Sequence, residues 1–113
     1  PSMNMIAGVV QNGAVVAGGA TLPLPPGVKV AEGREITYGI RPENLSIGEA
    51  GLTCTVAVVE PTGSETHVVL RINGREIVAV FRDRVSMRPG DTVTLAPDAT
   101  QVHLFDKASG TRF

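Results

Sequence analysis

Few side chains in this sequence are of the types that perform catalysis or hold a metal, and they are widely spaced. The two histidines are His67 and His103, and Cys54 is the sole thiol. A zinc site needs three or four convergent ligands, and no histidine and acid are spaced so as to activate the thiol. We therefore predict no metal site and no nucleophile, and we interpret Cys54 as a small core residue within an apolar alternation.

Phosphate-binding signatures are also missing from the sequence. No GxxxxGK[ST] occurs, so the chain lacks both the backbone cradle and the lysine that hold ATP phosphates. Gly18, Gly19 and Gly27 fall in predicted turns rather than between a strand and a helix. We expect this chain to bind no ATP and no other cofactor, and not to be an enzyme by itself.

The most conspicuous polar motif is Arg41, Pro42 and Glu43, which lies between apolar alternations on both sides. A residue before proline favours extended geometry, and proline fits the first position of a helical turn. Glu43 would then lie in the first turn, where free amides favour a carboxylate, and Arg41 is close enough to pair with a nearby acid. We interpret the triplet as a structural corner, with an interdomain contact or a direct ligand role as the alternatives.

Four other residues are candidates for a partner interface. Ser64 and Glu65 follow a glycine in a predicted turn, where they either cap the turn or face a partner. Glu60 precedes a proline, and Phe105 falls on the strand face opposite its apolar neighbour. An exposed aromatic near a chain end often finds a partner, although Phe105 could instead belong to a satellite core.

Composition restricts the partners of this chain. The 113 residues include 10 Lys and Arg against 11 Asp and Glu, a formal net charge of −1. That balance gives no global field to attract nucleic acid or an anionic membrane. A single cysteine and no targeting stretch agree with a reducing cytosol, and no apolar run approaches the roughly 18 residues of a membrane span. We expect one domain.

The elements that must position these residues are β-strands, because alternation with a period of two recurs between turn residues. Only residues 43–46 and 98–100 are predicted as single helical turns. We predict an all-β fold, a small barrel or sandwich of seven or eight short strands. The predicted strands cover residues 5–10, 14–17, 34–40, 52–60, 66–72, 75–81, 92–95 and 101–105.

Local motifs predict how some of these strands connect. The Asn-Gly pairs at 12–13 and 73–74 supply the positive φ of tight hairpins. The PLPPG segment at 23–27 should be a rim loop, because proline lacks the amide that a central strand needs. The charge run at 82–84 should lie on a solvated loop. Alternation in the fourth predicted strand directs four side chains inward: Leu52, Cys54, Val56 and Val58.

Four motifs in order give the sequence a family resemblance: GIRPENL at 39–45, VEPTGSET at 59–66, RPGD at 88–91 and VHLFD at 102–106. Together they resemble the C-terminal regulatory domain of ATP-binding subunits of bacterial ABC importers. The resemblance is greatest to the sugar and glycerol-phosphate group that includes the maltose importer ATPase. PSMN at 1–4 is similar to the junction at which that family leaves its ATPase domain, so we expect the chain to be a C-terminal piece of a longer subunit.

The resemblance implies a transport-associated β-barrel of the oligonucleotide/oligosaccharide-binding type. In that family two ATPase subunits face each other, and their regulatory domains touch across the two-fold axis. The implied partners are a second copy of the domain, the N-terminal ATPase domain, the membrane subunits reached through it and, in some members, a cytosolic regulator. ATP and magnesium would belong to the ATPase domain, and the complex would lie on the cytoplasmic side of the membrane.

Two other functions are alternatives to this one. Related barrels of the molybdate group hold oxyanions at subunit interfaces, but the Ser-Ala-Arg-Asn opening associated with that group is replaced here by SMN at 2–4. A nucleic-acid-binding barrel needs a basic groove with stacking aromatic residues. One tyrosine, three phenylalanines and a net charge of −1 argue against it.

Overall fold

Two antiparallel sheets face each other in the computed structural model, which describes residues 2–113. The five-stranded sheet has the order β3-β2-β1-β4-β9, and the four-stranded sheet has the order β7-β6-β5-β8. Two short 3-10 turns, Pro42–Asn44 and Ala99–Gln101, precede β5 and β9. The strands are β1 Asn4–Gln11, β2 Ala14–Ala17, β3 Ala20–Pro23, β4 Glu35–Ile40, β5 Leu45–Thr62, β6 Glu65–Ile72, β7 Arg75–Phe81, β8 Thr92–Pro97 and β9 His103–Asp106.

The all-β prediction is confirmed, but the predicted number of strands is wrong. Residues 2–113 form nine strands rather than seven or eight, and these strands lie in two sheets, which is one of the two predicted arrangements, rather than in a closed barrel. The additional strand is β3, which pairs with β2 and ends at Pro23. Because β3 is an edge strand, a proline there removes no hydrogen bond to a further strand. Among residues 2–113, no helix is long and apolar enough to span a membrane.

Both predicted hairpins are confirmed. Asn12 and Gly13 connect β1 to β2 with φ values of 52° and 74°, and Asn73 and Gly74 connect β6 to β7 with 49° and 75°. Consecutive positive φ angles are those of a type I′ turn, whose twist matches that of the flanking strands. The turn therefore fixes the register of each strand pair.

The inward faces of both sheets share one core, at whose centre lies Tyr38 with no exposed surface. Its hydroxyl donates a hydrogen bond of 2.8 Å to the carbonyl oxygen of Pro23. Burial raises the pKa of this phenol far above its usual value. The contact joins β4 to the end of β3 on the far edge of the same sheet.

Irregularities in β5 change which of its side chains face the core. Leu52, Cys54 and Val56 point inward as predicted, but the register with β6 shifts between Val56 and Val58. A bulge reverses the alternation after it, so Val58 is 48% exposed and the prediction that it faces inward is wrong. Its neighbour Val59 packs against the core instead.

A polar side chain, that of Asn4, joins the two sheets. Its Nδ2 donates to the carbonyl oxygen of Val78 at 2.8 Å, and its Oδ1 accepts from the amide of Val78 at 2.8 Å. Asn4 lies on β1 and is only 8% exposed, whereas Val78 lies on β7, an edge of the other sheet. The side-chain amide thus satisfies two backbone groups that no neighbouring strand reaches.

The C-terminal tail is held against β9. The amide of Asp106 donates to the carbonyl oxygen of Thr111 at 2.8 Å, and that of Phe113 donates to Leu104 at 3.0 Å. The Asp106 carboxylate accepts from the amide of Ser109 at 2.8 Å and pairs with Arg34 at 3.0 Å. The backbone hydrogen bond from Ser109, followed by the side-chain bond from Arg34, lowers the pKa of Asp106 to about 2.

Replacing Asn4 by alanine should lower the free energy of unfolding by about 1–2 kcal/mol, because it leaves a partly buried donor and acceptor on Val78 without their protein partner. The measurement is urea denaturation followed by circular dichroism. Asn44→Ala is the matched control, since the Asn44 side chain makes no hydrogen bond in the described part of the chain, and it should change stability by less than about 0.5 kcal/mol. Equal losses in the two variants would contradict the role given to Asn4.

Asp106→Asn should lower the Tm at pH 7 by an amount that shrinks in acid. A carboxyl whose pKa is depressed on folding stabilises the native state above its unfolded value, 3.8, and this contribution is lost as the pH falls towards about 2. Melting curves of both proteins from pH 7 to pH 2 measure the difference. A difference that does not change with pH would show that packing, and not charge, is responsible; Asp83→Asn, in an exposed loop, is the control.

Candidate functional site

The corner predicted from residues 41–43 lies where the chain leaves one sheet and enters the other. Arg41 is extended, with φ −74° and ψ 150°, and Pro42 begins the first 3-10 turn. The Asn44 amide closes the turn on the carbonyl oxygen of Arg41 at 2.9 Å. Pro42 is buried, Glu43 occupies the first turn, and the turn packs against β7. The corner therefore seats this connection on the strand that Asn4 also reaches.

Arg41 has no acidic partner in the described residues, since no carboxylate lies within 4 Å of its guanidinium. Its charge is felt instead at His103 on β9. Burial lowers the pKa of His103, and the positive charges of Arg112 and Arg41 lower it further. Arg41 therefore belongs to a locally basic region at β9 and the tail, and the pairing considered for it is not formed.

Three glutamates lie around His67 on the outer side of the four-stranded sheet. Glu60 on β5 lies directly opposite His67 on β6, and Glu65 Oε1 is 3.2 Å from His67 Nε2. Glu43 reaches the same place from the corner, where it lines a hollow of about 230 Å³ with Glu65, His67 and Arg82. We call Glu43, Glu60 and Glu65 the acidic surface. The register between strands, together with the corner, brings these residues together.

A groove of about 400 Å³ adjoins the acidic surface at the turn between β5 and β6. Ser64 lies in this exposed turn after Gly63, whose φ is 53°. Glu65 and the loop Arg82, Asp83 and Arg84 all line this groove. All three loop residues are exposed, as predicted for a solvated charge run. Acidic and basic side chains therefore flank one concave surface.

Phe105 lies apart from this groove, on the outer face of the five-stranded sheet. It is half-buried on β9 opposite Thr37 of β4. A methyl group on Gly39 would lie 3.1 Å from a Phe105 ring carbon and 2.6 Å from the Met3 sulfur. The two side chains thus close over the glycine, and Met5, directly opposite Gly39, is 47% exposed. Methionine and aromatic side chains together make an adaptable apolar patch.

The groups considered for catalysis and metal binding lie far from such chemistry. Burial raises the pKa of Cys54 to about 11, so the thiol stays protonated at neutral pH. Within residues 2–113, no three His, Cys, Asp or Glu side chains are grouped so as to hold a metal ion. The surface features left for function are the acidic surface, the groove beside it, the Phe105 patch and the basic region at the tail.

Comparison with known family models identifies the domain to which this chain corresponds. Residues 38–105, well over half of the chain, match the model of the TOBE domain, and residues 1–45 match that of the MalK OB fold domain. The chain belongs to the TOBE domain family. The predicted resemblance to regulatory domains of sugar and glycerol-phosphate importers is confirmed at this level.

Relatives of this TOBE domain are ATP-binding proteins of ABC transporters. It is 47% identical to the uncharacterized ABC transporter ATP-binding protein y4oS of Sinorhizobium fredii, over 99% of this chain and 31% of that protein. It is 35% identical to the sn-glycerol-3-phosphate import ATP-binding protein UgpC of Paracoccus denitrificans, over 99% and 32%. The oligosaccharides import ATP-binding protein MsmX of Bacillus subtilis is 29% identical, over 99% and 34%. The chain thus spans about a third of each relative.

A solved structure has the same fold. The cytoplasmic molybdate-binding protein ModG superposes with a TM-score of 0.73 at 19% sequence identity, over 91% of this chain and 95% of that one. At this identity the likeness concerns the fold alone. Two features of the surface were not predicted from the sequence: the apolar patch at Met3 and Met5, which their two-residue spacing at the start of β1 could have indicated, and the exposed Val58, which depends on a bulge.

Pro42→Ala should lower the free energy of unfolding by about 1 kcal/mol, because it increases the entropy of the unfolded chain and removes buried ring contacts with β7. Arg41→Ala should change it by less than about 0.5 kcal/mol, since the guanidinium has no carboxylate partner. Chemical denaturation of the two variants beside the wild type is the measurement. If Arg41→Ala is the more damaging change, the guanidinium has a structural role that the corner geometry does not account for.

Proposed function

We propose that this TOBE domain is the non-catalytic regulatory and dimer-contact domain of the ATP-binding subunit of an ABC importer for sugars or glycerol 3-phosphate. The observation that carries the proposal is the alignment of nearly the whole chain with ATP-binding proteins three times its length, UgpC and MsmX among them. The remaining two thirds of the subunit would contain the ATPase domain, with its phosphate-binding loop, ATP and magnesium. The subunit would work on the cytoplasmic side of the membrane, bound to the membrane subunits.

The domain's own contribution would be to tether two subunits. A tether raises the effective concentration of the attached ATPase domains, to about the millimolar range for short connections, so that they reclose efficiently. This function needs a surface that binds its own copy and requires no reactive group. The protonated thiol of Cys54 and the lack of a phosphate-binding loop agree with that division of work.

The groove beside the acidic surface is our candidate for the two-fold contact. A two-fold axis brings a patch against itself in reversed orientation, so the patch must be self-complementary. Glu65 lines this groove together with Arg82 and Arg84, and Glu60 belongs to the adjoining acidic surface, where it lies opposite His67. Reversal would place the carboxylates of one copy opposite the guanidinium groups of the second, with Ser64 near the axis. Phe105, on the other sheet, is proposed as a separate contact for the ATPase domain or a cytosolic regulator.

The oxyanion alternative has a narrower basis. ModG is a molybdate-binding protein with this fold, but the likeness is at 19% identity. Alignment of 99% of this chain with importer ATP-binding proteins favours the transport function over oxyanion storage or sensing.

A charge exchange across the groove tests the proposed contact. In the full-length subunit, Glu65→Arg and Arg84→Glu should each weaken self-association about tenfold, because a two-fold contact contains every pair twice. The double variant should regain most of the lost affinity, since the pair is restored with its charges exchanged. Sedimentation analysis in the analytical ultracentrifuge, beside ATP hydrolysis and uptake in the assembled importer, gives the readouts.

The controls separate this contact from other effects of charge. Glu49→Arg, on the exposed excursion of β5, should leave association unchanged. Phe105→Asp should leave self-association unchanged while altering transport or its regulation. If the single and double variants associate with equal affinity, the groove is not the two-fold contact. If the parent subunit contains no ATPase motifs, the importer function is ruled out.

A further inference from the structure

A second concave surface, remote in sequence from the groove, lies between the proline-rich loop and the C-terminal tail. It encloses about 300 Å³, at the lower end of the size of small-molecule pockets. Pro25, Val28, Leu104 and the ring of Phe113 contribute apolar walls, and His103 and Arg112 contribute polar ones. We call it the tail pocket. Neither the corner, nor the acidic surface, nor the proposed two-fold contact uses it.

The aromatic wall of the tail pocket is held in place from two sides. The amide of Phe113 donates to the carbonyl oxygen of Leu104 at 3.0 Å, which fixes the backbone beside β9. The Arg34 guanidinium lies 4.7 Å from the centre of the Phe113 ring, within the range of a cation–π contact. Arg34 is itself held by Asp106 at 3.0 Å. A ring positioned in advance loses less entropy when a ligand stacks against it.

The polar wall contains a positive charge, that of Arg112, which no salt bridge neutralises. In the described residues no carboxylate lies within 4 Å of the Arg112 guanidinium. Asp106, the acid of the neighbouring turn, is already engaged by Arg34 and by the amide of Ser109. Arg112 and Arg41 both act electrostatically on His103, which places a positive field at this wall. An anion would therefore be attracted here.

We propose that the tail pocket binds a small organic anion with a flat apolar body, such as an aromatic carboxylate. The apolar part would lie against Pro25, Val28 and the ring of Phe113, and the carboxylate would accept hydrogen bonds from Arg112 and His103. An inorganic oxyanion would use only the polar wall and would bind more weakly. This inference is independent of the importer function and of the two-fold contact.

Benzoate is the probe for the tail pocket, with acetate and benzamidinium as comparisons. The 113-residue chain is titrated with each, and the His103 ring proton and the backbone amides are followed by NMR. Benzoate should produce saturable shifts confined to the tail pocket at millimolar concentration. Acetate lacks the apolar body and should bind at least tenfold more weakly, and benzamidinium has the wrong charge and should produce no shift at this wall.

Two variants separate the walls of the pocket. Arg112→Gln should weaken benzoate binding about tenfold, and Phe113→Ala should weaken benzoate but leave the response to acetate unchanged. Arg88→Gln, an exposed arginine of another turn, is the matched control and should bind benzoate as the wild type does. Equal affinity for benzoate and acetate, unchanged affinity in Arg112→Gln, or the absence of saturable shifts would overturn the proposal.

Discussion

The arrangement of the two sheets depends on the side chain of Asn4. Its amide group satisfies both the N–H and the C=O of Val78 at 2.8 Å each, and so it takes the place that one residue of a neighbouring strand would occupy. An apolar side chain here would leave two partly buried backbone groups on β7 without their protein partner, at a cost of about 1–2 kcal/mol out of the roughly 5–15 kcal/mol that stabilises a small domain. Pro42 packs from the corner against the same strand. The edge of the four-stranded sheet is thereby joined to one end of the β1–β4 pair, where Asn4 lies opposite Ile40.

The contacts of Asn4 and the corner with β7 also account for a fold of two sheets in place of a closed barrel. A barrel removes exposed edges by continuous pairing of strands, whereas here β7 is covered by a side chain and a short turn. The edge β9 is treated similarly, because the tail residues Thr111 and Phe113 exchange backbone hydrogen bonds with it. Each covering segment brings polar side chains with it: Glu43 from the corner and Arg112 from the tail. The same segments that protect the edges therefore carry surface chemistry to them.

Whether a feature can be predicted from the sequence depends on how far apart in the chain the interacting residues lie. The two hairpins can be predicted, because an Asn-Gly pair determines its turn locally. The orientation of Val58 cannot be predicted, since it depends on a bulge that only the pairing of β5 with β6 reveals. β3 was missed because Pro23 is excluded from central strands but allowed at an edge. The grouping of Glu43, Glu60 and Glu65 around His67 depends on the strand register and on the packing of the corner. Neither can be read from the spacing of these residues in the sequence.

The distribution of charge over the surface is also not predicted by the sequence, and it matters for function. A net charge of −1 predicts no attraction for any charged partner, yet the folded chain separates its charges. Carboxylates gather with His67 on the outer side of the four-stranded sheet, and Arg41 and Arg112 act together on His103 at β9. Because fields between exposed charges decay over about 8–10 Å at physiological ionic strength, a partner responds to the surface that it touches and not to the sum. The proposed two-fold groove and the proposed tail pocket are therefore separate surfaces that would not compete for the same ligand.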